Sequence, residues 1–313
     1  MTSGVPLGDA EPSGYAHPSY AASLAEFGTI RPLPESGGHL LERPIPGHPY
    51  RDAMGCYPLF ACRDWTRLAG DLDAIGRTLV SVALVADPFG PSNPSVLERC
   101  FDRVVAFKQH FVVDLGRPMG TGVSSHHRRS AQRALRQVSV EWVDDPPGFA
   151  AEWCALYRVL TGRHGIRGLP AFSETALARQ LAVPGIAVLR ARRDSETLGA
   201  TLWYRQGEFA YYHLGAYAEA GYHLRVSFAL FWTAVESFAA AGLRWLDLGG
   251  AAGSQSGGAD DGLARFKQGW ATDSRTAYLC GRVFDPMAYQ HLAAASGVPQ
   301  TDYFPAYRMG EFA

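Results

Sequence analysis

Lys267 sits in the segment Gly262-Leu-Ala-Arg-Phe-Lys-Gln-Gly-Trp270, a lone ammonium next to Phe266. Aminolysis of an ester or thioester passes through a tetrahedral oxyanion, and a fixed cation aimed at that oxygen lowers the barrier by about 3–4 kcal/mol. Ahead of it, Trp245-Leu-Asp-Leu-Gly-Gly250 reads as a short strand ending in two glycines. Gly249 and Gly250 let another backbone or a ligand come close, and Asp247 is placed to orient an amine or Lys267. Phe209–Ala216 carries Tyr211, Tyr212 and His213. A two-residue period puts Tyr211 and His213 on one face and Tyr212 on the other. His213 is a candidate general base for an attacking amine. Arg225 and Ser227 stand at the start of a long helical pattern, and a helix N-terminus with an Arg suits a phosphate. Arg128 and Arg129 belong to a basic stretch, 126–136, that suits RNA or a phosphorylated substrate.

Each of these residues also has a plainer reading. Lys267 can be a surface lysine lying along Phe266. Asp247 can cap a turn, and His213 can be a hydrogen-bonded core histidine. Arg225 and the arginines of 126–136 can be solvated surface. Other chemistries find less support. The Gly249–Gly258 stretch has no Gly-Lys-Ser/Thr, and no GxGxxG opens a helix. Ser124 and His127 resemble a nucleophile beside a base, but no third member or oxyanion loop accompanies them. The histidines are scattered, and the five cysteines include no CxxC pair, so neither a metal site nor a disulfide framework is expected.

These residues need a scaffold. The chain has 313 residues, 47% of them hydrophobic, and a net charge of −1. At roughly 100–200 residues per domain that is two lobes, with no global pull toward nucleic acid or anionic membrane. No apolar run approaches the ~18–20 residues of a membrane span, and no signal sequence opens the chain, so a cytoplasmic location is expected. Residues 1–45 read as a partly disordered arm, rich in Gly, Pro and Ser. Residues 46–143 read as an N-terminal lobe, 144–285 as a C-terminal lobe and 286–313 as a tail. In the second lobe Ser173 caps a helix to Leu181. Strands follow at 185–192, 198–204 and 208–216, then a helix Leu224–Ala241 closed by Gly242, the strand at 243–248, a short helix and a last strand at 276–284. This order predicts an α/β (α+β) fold with mixed sheets flanked by helices, and the first lobe repeats it in degenerate form.

The order of elements, the Asp247-Leu-Gly-Gly strand end with Phe266-Lys267 beyond the next loop, and the arginine-rich helix at 128–136 together resemble the Fem-type (FemAB-like) branch of the GNAT acyltransferase superfamily. The resemblance implies tandem GNAT-like lobes. It also implies amide formation by direct attack of an amine on an activated carbonyl, with Lys267 stabilising the oxyanion. The donor is then an aminoacyl-tRNA or an acyl-CoA, and the acceptor an amine of a small molecule or peptide. The usual GNAT pyrophosphate loop, Arg/Gln-x-x-Gly-x-Gly/Ala, is replaced by Gly221-Tyr-His-Leu-Arg-Val-Ser227. That tilts the expected donor toward aminoacyl-tRNA. A catalytically inactive GNAT-like pair acting in binding or assembly is the alternative.

Overall fold

The computed structural model describes residues 11–90, 94–118, 121–251, 262–297 and 301–311. The chain opens with α1 (Pro18–Ser23), β1 (Thr29–Leu33), β2 (Gly38–Pro44) and β3 (Arg51–Gly55). Next come α2 (Leu68–Ile75), β4 (Ser81–Val85), α3 (Ser95–Glu98) and β5 (Arg103–Asp114). Then follow α4 (Ser125–Leu135), β6 (Ser139–Trp142), α5 (Ala150–His164), α6 (Glu174–Gln180), β7 (Ile186–Arg193), β8 (Glu196–Gln206) and β9 (Phe209–Tyr217). The last elements are α7 (Glu219–Leu224), α8 (Val226–Ala240), β10 (Trp245–Asp247), α9 (Gly262–Gln268), β11 (Asp273–Val283) and α10 (Pro286–Ala295).

All eleven of these strands join one mixed sheet in the order β1-β2-β3-β4-β11-β5-β10-β9-β8-β7-β6. Each half holds one parallel pair, β3 with β4 and β9 with β10, and a helical crossover links the two strands of each pair. The halves exchange a strand. β5 follows β4 in sequence yet pairs with β10, and β11 follows β10 yet pairs with β4. The two exchanged strands pair with each other and close the seam. The two lobes therefore share backbone hydrogen bonds across the middle of the sheet.

Residues 11–45 are built into the fold instead of forming a loose arm. They supply α1, β1 and β2, and Tyr15 and Tyr20 are buried against Tyr204. The Gly- and Pro-rich composition hid two aromatic anchors whose burial offsets the ordering of the segment. Residues 1–10 lie outside the described residues.

The helices cover both faces of the second half. On one, Trp153 and Tyr157 of α5 and Leu177 of α6 pack with Tyr204 and Tyr211. On the other, α8 sets Phe231, Val235 and Phe238 against Trp203 and Leu246, with Ala131 and Ala134 of α4 alongside. The long helix expected from Leu224 is broken at Arg225, which adopts a left-handed conformation (φ 56°) and separates α7 from α8. α7 crosses so close to β8 that a Cβ on Gly221 would collide with the Leu198 carbonyl. Gly221→Ala is therefore expected to lower stability by about 1–3 kcal/mol, net of any helix-propensity gain, because backbone must move. Urea denaturation of the variant checks this, and unchanged stability would show that α7 can shift without cost.

Candidate active site

β9 and β10 part in the middle of the sheet. Their parallel pairing covers three residues and ends at Asp247 opposite Tyr211. β9 continues to Tyr217, and a bulge falls at His213. The pairing with β8 steps from Leu202↔Leu214 to Trp203↔Tyr212, which leaves His213 as the extra residue. On the other side of the split the chain runs on along β5, where Leu248 N–H donates to the Phe111 carbonyl and Phe111 N–H to the Gly249 carbonyl. Gly249 has φ +76°, a conformation that costs a side-chain-bearing residue about 1–2 kcal/mol, and Lys267 Nζ stands 3.1 Å from where its Cβ would be. Residues 252–261, which complete the loop predicted from Gly249, lie outside the described residues.

Lys267 reaches this split from one face. It is 6% exposed, so it is no surface lysine. Its Nζ donates to the Gly250 carbonyl at 2.7 Å and lies 5.9 Å from the centroid of the Tyr212 ring. Phe266 packs edge-on to Phe228 and Phe231 of α8 and fixes α9 against the helical layer. His127 braces α9 from α4. With a carbonyl as its partner, Nε2 must be the donor, here to Phe266 O at 2.9 Å, so Nδ1 accepts the Ser124 hydroxyl at 2.8 Å. Both ring nitrogens are thus occupied, and burial pushes the imidazole below its usual range. Ser124 is the N-cap of α4, so the suspected nucleophile–base pair is a helix cap and a brace.

The opposite face of the split holds a buried polar cluster. Asp247 Oδ2 accepts from His110 Nδ1 at 2.8 Å, and its Oδ1 accepts the Gly249 N–H at 2.7 Å. Tyr211 donates to Asp87 Oδ2 at 2.8 Å. Burial pushes Asp87 up to about 6. Hydrogen bonds from the Phe89 N–H and Tyr211 oppose that rise, Asp247 adds to it and His110 opposes it. Asp247 therefore orients His110, and its second oxygen holds the glycine turn that Lys267 also grips. His110 and Asp87 were not singled out by sequence. The signals were a His beside Lys108 and Gln109 in a strand and an Asp at the end of a β-branched run, and both are common.

His213 lies on the same face as Tyr211 but inside an aromatic box of Tyr15, Tyr20, Tyr204 and Phe172. Its Nδ1 meets the Tyr15 hydroxyl and its Nε2 the Gln180 amide oxygen, each at 3.1 Å. With Nε2 donating to an oxygen that can only accept, Nδ1 accepts from Tyr15 and no lone pair is left for a substrate proton. Burial pushes His213 down to about 3. The folded pKa is below the unfolded value of 6.5, so the unfolded chain takes up the proton first and stability falls as pH drops from 6.5 toward 3. Asp87 acts with the opposite sign from 3.8 to about 6. Between pH 6.5 and 6 His213 therefore acts without that opposition. His213→Gln is expected to flatten the acid loss by up to about 1.4 kcal/mol per pH unit, read from urea titrations at several pH values. An unchanged slope would mean that His213 protonates in the folded state.

The remaining predicted residues belong to the α7–α8 break and to α4. Arg225 and Ser227 line a recess of about 270 Å³ at the α7–α8 break, with His126, Tyr217, Tyr222 and Phe228. Arg128 and Arg129 are exposed on α4, and Arg129 and Arg133 continue the helical stripe that starts at His126. Among the described residues no group of three or more His, Cys, Asp or Glu is placed to hold a metal ion, and no helix is long and apolar enough to cross a membrane.

Residues 123–268 match the family model described as the acetyltransferase (GNAT) domain. That stretch is therefore similar to a GNAT domain. The match runs from the N-cap region of α4 through Lys267, and so spans the recess, both sides of the split and the braced α9. The fold as a whole is similar to those of several solved structures. FemX superimposes with a TM-score of 0.65 at 14% identity, over 91% of this chain and 95% of that one. A C-terminal DUF2156 domain described as belonging to a lysylphosphatidylglycerol synthetase from Agrobacterium fabrum gives 0.62 at 16%, over 91% and 92%. L-PGS from Bacillus licheniformis gives 0.58 at 14%, over 92% and 98%. No curated protein matches the sequence. His110, Asp87 and β11 lie outside the matched segment, so the polar cluster opposite Lys267 combines residues of the GNAT segment with residues of the preceding half.

Proposed function

We propose that the protein is a cytoplasmic N-acyltransferase that moves an aminoacyl or acyl group from an activated donor to an amine of a small molecule or peptide. The amine attacks the carbonyl directly, and Lys267 stabilises the oxyanion. The observation that carries this reading is the buried Lys267 ammonium at the point where β9 and β10 separate. A site at such a split exposes backbone and side chains from both faces to one reacting carbon. A buried cation there acts at low dielectric, where it is worth more than in water.

Aminoacyl-tRNA is the favoured donor and acyl-CoA the other. Three observations support the order. Arg225, in a left-handed conformation, takes the place of the glycine-rich phosphate loop. Beside its recess runs the exposed stripe of His126, Arg129 and Arg133, which suits a longer phosphate backbone. One of the similar structures is named for lysylphosphatidylglycerol synthesis, an aminoacyl product. The test is transfer of radiolabel from a charged tRNA pool, acetyl-CoA and longer acyl-CoAs into a panel of amines, with thermal shift for each donor. Transfer from one donor class is expected. No transfer and no stabilisation by any donor would instead favour a catalytically inactive binding or assembly protein.

A further inference from the structure

We infer that His110, held by Asp247, is the general base that takes a proton from the acceptor ammonium on the face of the sheet opposite Lys267. The inference rests on the proposed acyl transfer and adds to it the group that activates the acceptor. A primary amine arrives largely as its ammonium at neutral pH and cannot attack until it loses a proton.

Among the histidines that face the split, the geometry separates His110 from the others. His213 and His127 have both ring nitrogens engaged in the interior. His110 uses only Nδ1, in a bond to Asp247. Because a carboxylate accepts, Nδ1 carries the hydrogen and Nε2 carries the lone pair. Among the described residues Nε2 makes no hydrogen bond, and the His110 side chain is 9% exposed. Asp247 is 2% exposed and is fixed by the Gly249 N–H, so it acts as a positioning residue that also stabilises the imidazolium once formed.

The same two glycines join this pair to the proposed oxyanion site. Asp247 holds Gly249 N–H from one face, and Lys267 Nζ holds the Gly250 carbonyl from the other. The base and the cation therefore flank one short stretch of backbone at the strand split. The surroundings of His110 suit a cationic acceptor. Asp247 and Asp87 lie on its face, with Tyr211 bonded to Asp87, and Arg275 of β11 is its cross-strand neighbour. Arg275 stacks on Phe89 at 4.2 Å and on Trp245 at 5.0 Å, which occupies its guanidinium with the aromatic rim.

The acceptor ammonium gives one proton to His110 Nε2, and the free amine attacks the donor carbonyl to form the C–N bond. As the tetrahedral intermediate collapses, the C–O or C–S bond breaks, and the leaving oxygen or sulfur takes the second proton from nitrogen. His110 then returns its proton to solvent.

The test compares His110→Gln and His110→Ala with wild type, using whichever donor wild type accepts. The acceptors are primary alkylamines and, separately, hydroxylamine, which is largely uncharged at neutral pH and needs no base. Turnover with alkylamines is expected to fall by about 10²-fold or more in both variants. Hydroxylamine is expected to recover most of that loss, and added imidazole to restore part of it in His110→Ala. Equal losses with both acceptors would mean a structural role, and no loss would mean no role; either overturns the inference while leaving acyl transfer standing. Wild type that transfers from no donor to hydroxylamine overturns the parent reading, and the inference with it.

Discussion

Lys267→Met is expected to lower turnover by about 10²–10³-fold while the protein stays folded. Removing one fixed donor to an oxyanion costs roughly 2.7–4 kcal/mol of transition-state stabilisation, which corresponds to that loss. Met nearly matches the volume of the lysine stem, so the packing of α9 against Phe228 and Phe231 of α8 is kept. One ground-state bond that is lost, from Nζ to the Gly250 carbonyl, involves a half-buried glycine. Its removal should cost only about 1 kcal/mol. Lys267→Arg keeps the charge but carries it on a longer planar group that does not fit the same position, so it is expected to restore little. Steady-state transfer together with a melting curve decides the matter. Near-normal turnover in a folded Lys267→Met protein would sink the assignment, whatever donor is used.

Asp52→Ala is expected to cost about 3–5 kcal/mol of stability. Asp52 is 1% exposed and takes two hydrogen bonds from Arg308, at 2.9 and 2.8 Å. Arg43 lies 3.7 Å away on β2, and Arg308 also donates to the Pro44 carbonyl. Burial works against the Arg308 charge, but the bonds and charge of Asp52 outweigh it and raise its pKa. Truncating Asp52 would take from Arg308, 7% exposed, its two-bond partner and leave Glu311, at 3.2 Å and shared with Arg43, as the counter-charge. The network fastens the C-terminal segment 301–311 across β2 and β3, far from the split. The variant should therefore lose stability and become sensitive to proteolysis in that segment, while retaining its chemistry when folded. Asp52→Leu with Arg308→Met should recover much of the loss, because an apolar pair of similar volume avoids the desolvation cost. A loss below 1 kcal/mol in Asp52→Ala would show that water solvates Arg308 in the variant.

Local pattern carried a good part of the site. The spacing of Phe266 and Lys267 after the Asp247-Leu-Gly-Gly strand end, the alternation of Tyr211, Tyr212 and His213, and the glycine at 242 all follow from rules acting within a few residues. The element order and the GNAT resemblance rest on the same short-range signals. The structure places Tyr212 on the Lys267 face and Tyr211 on the other, as the two-residue period predicts.

The rest of the site has one physical origin, contacts between residues far apart in the chain. The exchange of β5 and β11 is set by hydrogen bonds between strands, and an apolar run does not encode its partner. His110 meets Asp247 across 137 residues, and Tyr211 meets Asp87 across 124. A polar residue in a strand acquires meaning only when the residue opposite it is known. His213 shows the converse. Its type and spacing suggested a base, but Tyr15, 198 residues away in a segment that composition had read as an arm, takes up its free nitrogen. Residue type and spacing set which groups could do chemistry near Lys267, and packing decided which of them keep a lone pair or a charge available, because burial and pairing are properties of the assembled sheet.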